Sequence, residues 1–248
     1  ADGYEEMLAV FNAFQQARNG LDAADFVSDL SGVGGGSIGV AAEVIKGFEG
    51  FAATAAFDVN AFRAGFGSDT ITLSDGTIKK VTEGMTVSLA DANRDLIRRI
   101  STEFQPAAAR AVGEERFAGL DPKQQAVLTS LAFNFGAGAF KDDLAGVAKA
   151  VREGSTEGVV TAIEALGARG LAGTRFEDGA RNRTAREAAL FASGGRIDSS
   201  GFVKAEEERT RQLERQAEER ERGSQATQQT LDQQQFEIEQ QNLLNAGQ

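Results

Sequence analysis

The sequence of 248 residues predicts an α+β fold in which one helix and a small β region precede a larger group of helices. Two observations predict this order. Strand and turn patterns concentrate between about Phe57 and Val81, where Asp75-Gly76 separates two short β-type runs as in a hairpin. On both sides of that zone the pattern is helical, with residues that commonly begin or end helices at the boundaries.

Residues 1–37 are predicted to form a helical extension followed by a linker. Apolar side chains recur at helical spacing up to Gly20, and Asp22 is placed to cap a second, short helix that ends near Leu30. Residues 31–37, rich in glycine and serine, have the composition of a flexible linker. We therefore place the first domain boundary at residue 37.

Residues 38–196 are predicted to form the main domain. Its first helix begins at about Ile38 and ends near Glu49-Gly50, and the β zone follows. Beyond Gly84 the pattern is helical throughout. Helix starts are predicted at Ser88, Asp121-Pro122 and Ser155, and the last helix is predicted to end at Gly194-Gly195.

Residues 197–248 are predicted to form a charged, Gln-rich helical tail. Glu and Arg dominate residues 206–222, and residues 225–241 contain eight Gln. Glu→Arg pairs at i,i+4 would support a helix. The apolar heptad pattern is sparse, so a coiled coil and a solvated or disordered tail both remain open.

Composition excludes several classes of catalysis and partner. The chain has no Cys and no His, which excludes disulfides, Ser-His-Asp and Cys-His catalysis, and the commonest zinc ligand. We expect no metal and no cofactor. The formal charge of −11 opposes nucleic-acid binding, which requires a basic surface. Catalysis by carboxylates, or no catalysis, remains.

Membrane and export segments are also not predicted. The longest uncharged run, residues 124–140, contains polar side chains and is too short to span a bilayer. Near the N-terminus, Asp2, Glu5 and Glu6 lie where a signal peptide would be basic. We therefore expect neither a membrane span nor a signal peptide.

Glu49 and Asp58 are the candidate pair for carboxylate catalysis. Glu49 ends a predicted helix between Phe48 and Phe51, and an apolar pocket there would favour the neutral carboxyl that a general acid needs. Asp58 lies nine residues later, at the start of the predicted β zone. Glycoside hydrolysis uses two carboxyl groups in unlike environments. Such pairs also arise by chance, and a Glu at a helix end is commonly solvated.

Three motifs, in order along the chain, resemble the phage-type lysozyme family, glycoside hydrolase family 24. The first is Glu49-Gly50, then Asp58, then Gly65-Phe66-Gly67. The second is the run AVLTSLAFNFG at residues 126–136, and the third is NRTAREAALF at residues 182–191. The resemblance implies a lysozyme-like fold, with a small β-hairpin lobe, a larger helical lobe and the substrate cleft between them.

The resemblance also implies a function and assigns site residues. The family consists of muramidases that cleave the β-1,4 bond between N-acetylmuramic acid and N-acetylglucosamine in peptidoglycan. Glu49 matches the catalytic acid, Asp58 the second carboxylate, and Arg183 an arginine that the family places against the acid. Asn134 matches a polar position beside the cleft, although a residue near a helix end is an equally good explanation.

Two positions depart from the family pattern. Arg63 stands where the family has a catalytic Thr, and Ser68 stands where it has His. Arg63 has only donors, so it cannot hold water as an acceptor, but it can contact Asp58 or a substrate oxygen. Asp69 is either another acceptor for water or a turn residue. Hydrolysis, and transglycosylation in which the sugar's own hydroxyl attacks, therefore both remain open.

The biological setting is predicted from charge and from the segments outside the motifs. An acidic chain with helical extensions suits a phage virion protein that binds other virion proteins through its terminal helices and opens the host cell wall, in the periplasm, at genome entry. The alternatives are a free endolysin and a non-catalytic structural module that keeps the lysozyme fold. Peptidoglycan glycan strands are the expected substrate.

Overall fold

The computed structural model describes residues 22–30, 33–167, 177–195 and 197, which form an α+β fold. The predicted helix before Asp22 and the predicted tail from residue 198 onward lie outside the described residues. The predicted boundaries at residues 37 and 196 stay predictions. Among the described residues, none of the helices combines the length and the apolar character needed to cross a membrane.

Helix α1, Ala23–Asp29, is the short helix predicted after Asp22. The Asp22 side chain accepts hydrogen bonds from the backbone N–H groups of Ala24 and Asp25, so the predicted cap is present. Phe26 and Leu30 are each 1% exposed. The helix packs against α9, Glu177–Ser193, the last helix described. It is thereby part of the packed helical body.

Helix α2, Gly36–Glu49, begins two residues before the predicted start and ends as predicted. It stops at Gly50, whose φ of 66° lies in the left-handed region that favours glycine, and whose N–H donates to the Lys46 carbonyl. The buried residues Val44 and Ile45 lie on the helix, which packs against α6, Pro122–Phe135. This end point places Glu49 at the edge of the helical body.

The β region consists of two antiparallel hairpins. β1, Ala52–Asp58, pairs with β2, Ala61–Gly65, and β3, Thr70–Thr72, pairs with β4, Ile78–Lys80. The hairpin predicted at Asp75-Gly76 is present: the Thr77 N–H donates to Asp75 Oδ1 at 2.9 Å, and Gly76 has a φ of 84°.

The first strand begins at Ala52, earlier than predicted, so Asp58 lies at the end of β1 and not at the start of the β zone. Residues 52–56 carry four alanines and lack the aromatic and β-branched enrichment that predicts strands. The hairpin turns at Val59, whose φ of 53° is unusual for a β-branched residue. Pairing with β2, and not local propensity, forms this strand.

The helical part follows the β region. Its first elements are α3, Leu89–Arg99, a π-helix, Ile100–Phe104, α4, Gln105–Val112, and α5, Glu114–Ala118. After α6 come a 3₁₀ turn, Ala139–Lys141, then α7, Ala145–Arg152, and α8, Thr156–Leu166, before α9. The starts predicted at Ser88, Asp121 and Ser155 are confirmed, because each side chain accepts a backbone N–H of its helix.

Helix α6 lies within the core of this body. Ala126 to Leu128, Leu131 and Ala132 are fully buried, and the helix packs against α2, α4 and α9. Two polar side chains of the same helix, Thr129 and Ser130, are also fully buried. A buried polar group requires a hydrogen-bond partner, and that of Ser130 belongs to the candidate site.

Candidate active site

Glu49 and Arg183 form the ion pair at the centre of the candidate site. Glu49 is the last residue of α2, and Arg183 projects from α9, so two elements far apart in sequence bring the pair together. Arg183 Nη1 donates to Glu49 Oε1 at 2.8 Å. The Glu49 side chain is 27% exposed and that of Arg183 is 13% exposed. The contact expected from the family resemblance is present.

The environment of Glu49 differs from the expected apolar pocket. The Phe48 ring packs against Phe26, with centroids 5.6 Å apart, and lies beneath the Arg183 guanidinium at 4.6 Å. Phe51 pairs with Phe66 at 5.7 Å. The expectation of a purely apolar pocket was wrong, because the Arg183 guanidinium contacts the carboxyl group.

Gly67 connects the surroundings of the two carboxylates. A Cβ atom added to Gly67 would lie 3.9 Å from Glu49 Oε2, so the backbone here passes close to the acid. The Gly67 carbonyl accepts from Arg63 Nη1 at 3.3 Å, and Arg63 Nε lies 3.3 Å from Asp58 Oδ2. Arg63 also donates to Asn60 Oδ1. The structure therefore places Asp58 and Arg63 together, across this glycine from Glu49.

Asp58 is the more open of the two carboxylates. Its side chain is 63% exposed, and Arg63, 31% exposed, is paired with it across the β1–β2 hairpin. Two accessible carboxyl groups, one held by Arg183 and one by Arg63, are an arrangement that can deliver a proton and orient water at a sugar. Each of the two carboxylates contacts an arginine, and they differ in exposure.

Ser68 lies beneath the β region, where its hydroxyl contacts Asp95 and Arg99. It is 8% exposed, and its hydroxyl donates to Asp95 Oδ2 at 2.7 Å. Asp95, 1% exposed, also accepts from Thr72 at 2.8 Å, from Arg98 at 2.7 Å and from Thr70 at 3.1 Å. Ser68 thereby connects the β3 segment to α3. Its predicted role at the substrate site stays a prediction.

The pKa of Asp95 reflects this network. Desolvation is the largest single effect and raises the pKa, but hydrogen bonds from Arg98, Ser68 and Thr72 outweigh it, so the pKa of Asp95 lies below its ordinary value. The carboxylate is thus ionised at neutral pH, although it is buried. The buried charge is stabilised because every hydrogen bond that the carboxylate accepts favours its charged form.

Glu187 is a neighbour of the site that sequence reasoning did not select. It is 0% exposed, and its Oε1 accepts from Ser130 Oγ at 2.6 Å and faces Arg183 Nε at 3.4 Å. Burial raises the pKa of this carboxyl, and the nearby Glu49 adds to the rise, whereas Arg183 and Ser130 oppose it. The feature of the sequence that could have identified Glu187 is its position four residues after Arg183, because this spacing places both side chains on one helix face.

Two further residues suggested by the sequence are not among the described partners of Glu49. Asn134 is exposed in the last turn of α6, and the described contacts of Glu49 and Asp58 do not include it. Asp69 lies in the bend before β3, where its carbonyl accepts from the Val81 N–H, as a turn residue would. Within the described ranges, no group of three or more acidic side chains is arranged to hold a metal ion.

The α+β fold, with a small β region beside a larger helical body, is the arrangement expected of a lysozyme-type glycoside hydrolase. A family model described as phage lysozyme matches residues 46–187, more than half of the chain, and the chain belongs to that family. The predicted resemblance to phage-type lysozymes is confirmed by this match. Membership makes the protein a peptidoglycan hydrolase of the lysozyme type.

The chain is also similar to a solved structure. It is similar to a crystal structure of a mutant of P22 lysozyme, with 21% sequence identity and a TM-score of 0.47. That match covers 61% of this chain and 94% of the P22 chain. No curated protein matches the chain significantly.

Proposed function

We propose that this protein is a muramidase that cleaves the β-1,4 bond between N-acetylmuramic acid and N-acetylglucosamine in peptidoglycan, with Glu49 as the general acid. The observation that carries the proposal is the Arg183–Glu49 contact of 2.8 Å. It fixes one oxygen of the carboxyl group, while the other, Oε2, lies beside Gly67 and the side chain as a whole is 27% exposed. A glycosidase acid must be positioned in this way before it can protonate the leaving oxygen.

In the proposed reaction, Glu49 gives its proton to the glycosidic oxygen as the bond between that oxygen and the anomeric carbon breaks. Water then adds to the anomeric carbon and loses a proton to a carboxylate. Asp58 is the candidate to orient this water: Oδ2 faces Arg63, and Oδ1 is left to accept from water. Arg63 keeps Asp58 in place but supplies no acceptor of its own.

Glu49→Gln tests the acid directly, because glutamine keeps the shape of the side chain and cannot transfer the proton. We expect a loss of about 10²- to 10⁴-fold in the rate of cleavage of purified peptidoglycan. Glu164→Gln, an exposed position on α8, is the matched control and should retain the parent rate. Activity that survives in Glu49→Gln would remove Glu49 from the role.

Product masses separate the alternatives. Hydrolysis leaves a reducing sugar end, whereas attack by the sugar's own hydroxyl leaves an anhydro end that is lighter by one water molecule. We expect reducing ends throughout, because the exposed Asp58 beside Arg63 is available to orient water. Anhydro ends would show a lytic transglycosylase. A parent protein without activity at any pH would show a structural module that keeps only the fold.

We also propose that the protein is carried in a phage virion, binds other virion proteins through its terminal segments and opens the host wall at genome entry. The support is the formal charge of −11 together with the segments on both sides of residues 46–187. The test is retention on purified particles after stringent washing. Absence from particles would favour a free endolysin.

A further inference from the structure

Arg183 contacts two carboxyl groups through separate N–H groups. Its Nη1 donates to Glu49 Oε1 at 2.8 Å, and its Nε donates to Glu187 Oε1 at 3.4 Å. The guanidinium carbon also lies over the Phe48 ring, 4.6 Å from its centroid. Because the donors differ, the arginine can hold both acids at the same time while its face rests on the ring.

The guanidinium turns one particular edge towards Glu187. In this planar group, Nε and Nη2 present parallel N–H bonds along one edge, and a carboxylate that meets this edge can accept both. Within the described part of the chain, Arg183 Nη2 and Glu187 Oε2 are buried and have no hydrogen-bond partner. They are the second donor and the second acceptor of such a two-point contact. The Nε contact and these two atoms indicate that Glu187 meets the edge opposite Nη1.

Glu187 is itself fixed in place. It is 0% exposed, and its Oε1 accepts from Ser130 Oγ at 2.6 Å. Ser130 lies on α6, which packs against α9, the helix of Arg183, and against α2, the helix of Glu49. A buried carboxyl group cannot leave these donors without a cost in free energy, since no water replaces them. Glu187 is therefore a rigid support for the arginine.

This support needs an acceptor oxygen and not a charge. Burial raises the pKa of the Glu187 carboxyl, although Arg183 and Ser130 oppose the rise. Oε1 has lone pairs for both donors when the group is ionised, and it keeps them when Oε2 carries a proton. The contact to Nε is therefore available in either protonation state.

We propose that Glu187 is a positioning residue for Arg183: it holds the Nε edge of the guanidinium so that Nη1 meets Glu49. Without this contact the guanidinium can turn about its bond to the side chain, and Glu49 loses the fixed orientation from which it donates its proton. Glu187 is fully buried, so it acts through the arginine and not on the substrate. This role rests on the proposed function of Glu49 as the acid.

Three substitutions at residue 187 separate the reach of the side chain from its charge. Glu187→Gln keeps the length and an acceptor oxygen but carries no charge. Glu187→Asp keeps the carboxyl group but withdraws it from Nε by one methylene group. Glu187→Met keeps the length and has no oxygen. We expect the arginine to stay oriented in the Gln variant and to lose its orientation in the Asp and Met variants.

The direct readout is the Nε–H resonance of Arg183 in ¹⁵N–¹H NMR spectra of the full-length protein, assigned by its loss in Arg183→Lys. We expect this proton to exchange with solvent about tenfold faster or more in Glu187→Asp and Glu187→Met, and within about twofold of the parent rate in Glu187→Gln. If the Met variant does not fold, the Asp and Gln variants decide. Parent-like exchange in Glu187→Asp, or fast exchange in Glu187→Gln, would overturn the proposal.

A second variant controls for lost stability. Val147→Ala, at a buried position on α7, removes core atoms and leaves the contacts of Arg183 intact. Its Nε–H exchange should match that of the parent. If Val147→Ala accelerates exchange as much as Glu187→Asp does, the effect comes from global unfolding and the proposal is wrong.

Activity on soluble peptidoglycan fragments gives an independent readout. In Glu187→Asp and Glu187→Met, kcat per folded molecule should fall about tenfold or more while KM stays within about twofold, because the acid is misplaced and the substrate contacts are kept. Glu187→Gln, the conservative variant, should recover most of this loss. If the parent is inactive, the muramidase proposal fails, while proton exchange still decides whether Glu187 holds Arg183. If the parent is active and kcat does not respond, Glu187 is only structural and the positioning role is wrong.

Discussion

Replacing Asp95 by Asn tests whether the buried network beneath the β region stabilises the fold through charge. The carboxylate is 1% exposed and accepts hydrogen bonds from four side chains: Ser68, Thr70, Thr72 and Arg98. All four are donors. In Asp95→Asn one oxygen becomes an NH₂ group, which must face a donor, and Arg98 loses its ion pair.

The expected cost follows from these contacts. Breaking a buried ion pair costs about 3–5 kcal/mol when the remaining charge stays buried. Because the Arg98 side chain is 27% exposed, part of its charge is solvated after the substitution. We therefore expect Asp95→Asn to lower the free energy of unfolding by about 2–3 kcal/mol at neutral pH, within the range for loss of hydrogen bonds to a charged group.

The effect has a definite pH dependence. Since the folded state lowers the pKa of Asp95, ionisation contributes stability above the unfolded-state pKa, near about 4, and that stability is lost as pH falls through the lower, folded-state pKa. The difference between parent and Asp95→Asn should therefore be full at pH 7 and shrink below about pH 4.

Urea unfolding measures this difference, with parent and variant compared at several pH values and equal m-values as the check on two-state behaviour. Asp142→Asn, an exposed position in the turn after the 3₁₀ element, is the control and should match the parent. Equal midpoints for parent and Asp95→Asn at pH 7 would refute the reasoning. A difference that does not change with pH would show that packing, and not charge, is responsible.

Two further substitutions test how the helices and the β region are held together. Phe26→Ala removes a ring that is 1% exposed and packs on Phe48, so we expect thermal unfolding to show a loss of about 3 kcal/mol; a change below about 1 kcal/mol would mean that α1 does not contribute to the body. Gly65→Ala adds a Cβ atom 2.8 Å from that of Ala92 at a φ of 64°, so we expect a loss of about 2 kcal/mol or more in urea unfolding. Gly138→Ala, with φ −85° and open space around the added atom, should be nearly silent, and equal effects at both glycines would contradict the steric explanation.

Local features of the fold were predictable because they depend on residues close in sequence. The caps at Asp22, Ser88 and Asp121 each bond a backbone N–H two or three residues ahead, and a capping residue is recognisable without the tertiary structure. The end of α2 at Gly50 follows from glycine's access to positive φ. The sequence therefore predicted where most described helices start or stop.

The environment of the site was less predictable because it depends on contacts between distant segments. Phe48 flanks Glu49 in the sequence, yet its ring turns to Phe26 and Arg183. Glu187 gave no local indication of burial, since the packing of α9 on neighbouring helices, among them α6 and α1, desolvates it. The Arg183–Glu49 contact was expected from family motifs, because spacing within one sequence does not show which residues meet across 134 positions.

The stacking of Phe26 on Phe48, and of Phe48 on Arg183, has a practical consequence for protein production. The family match begins at residue 46, so it does not include Phe26. The Phe26 ring packs on Phe48, and the Phe48 ring lies beneath the Arg183 guanidinium that contacts Glu49. A fragment cut at the edges of the family match would lack α1 and the first ten residues of α2, Gly36–Glu49. Such a fragment would lack the ring that supports Phe48 beneath Arg183. Protein expressed for enzymology should therefore start upstream of Asp22.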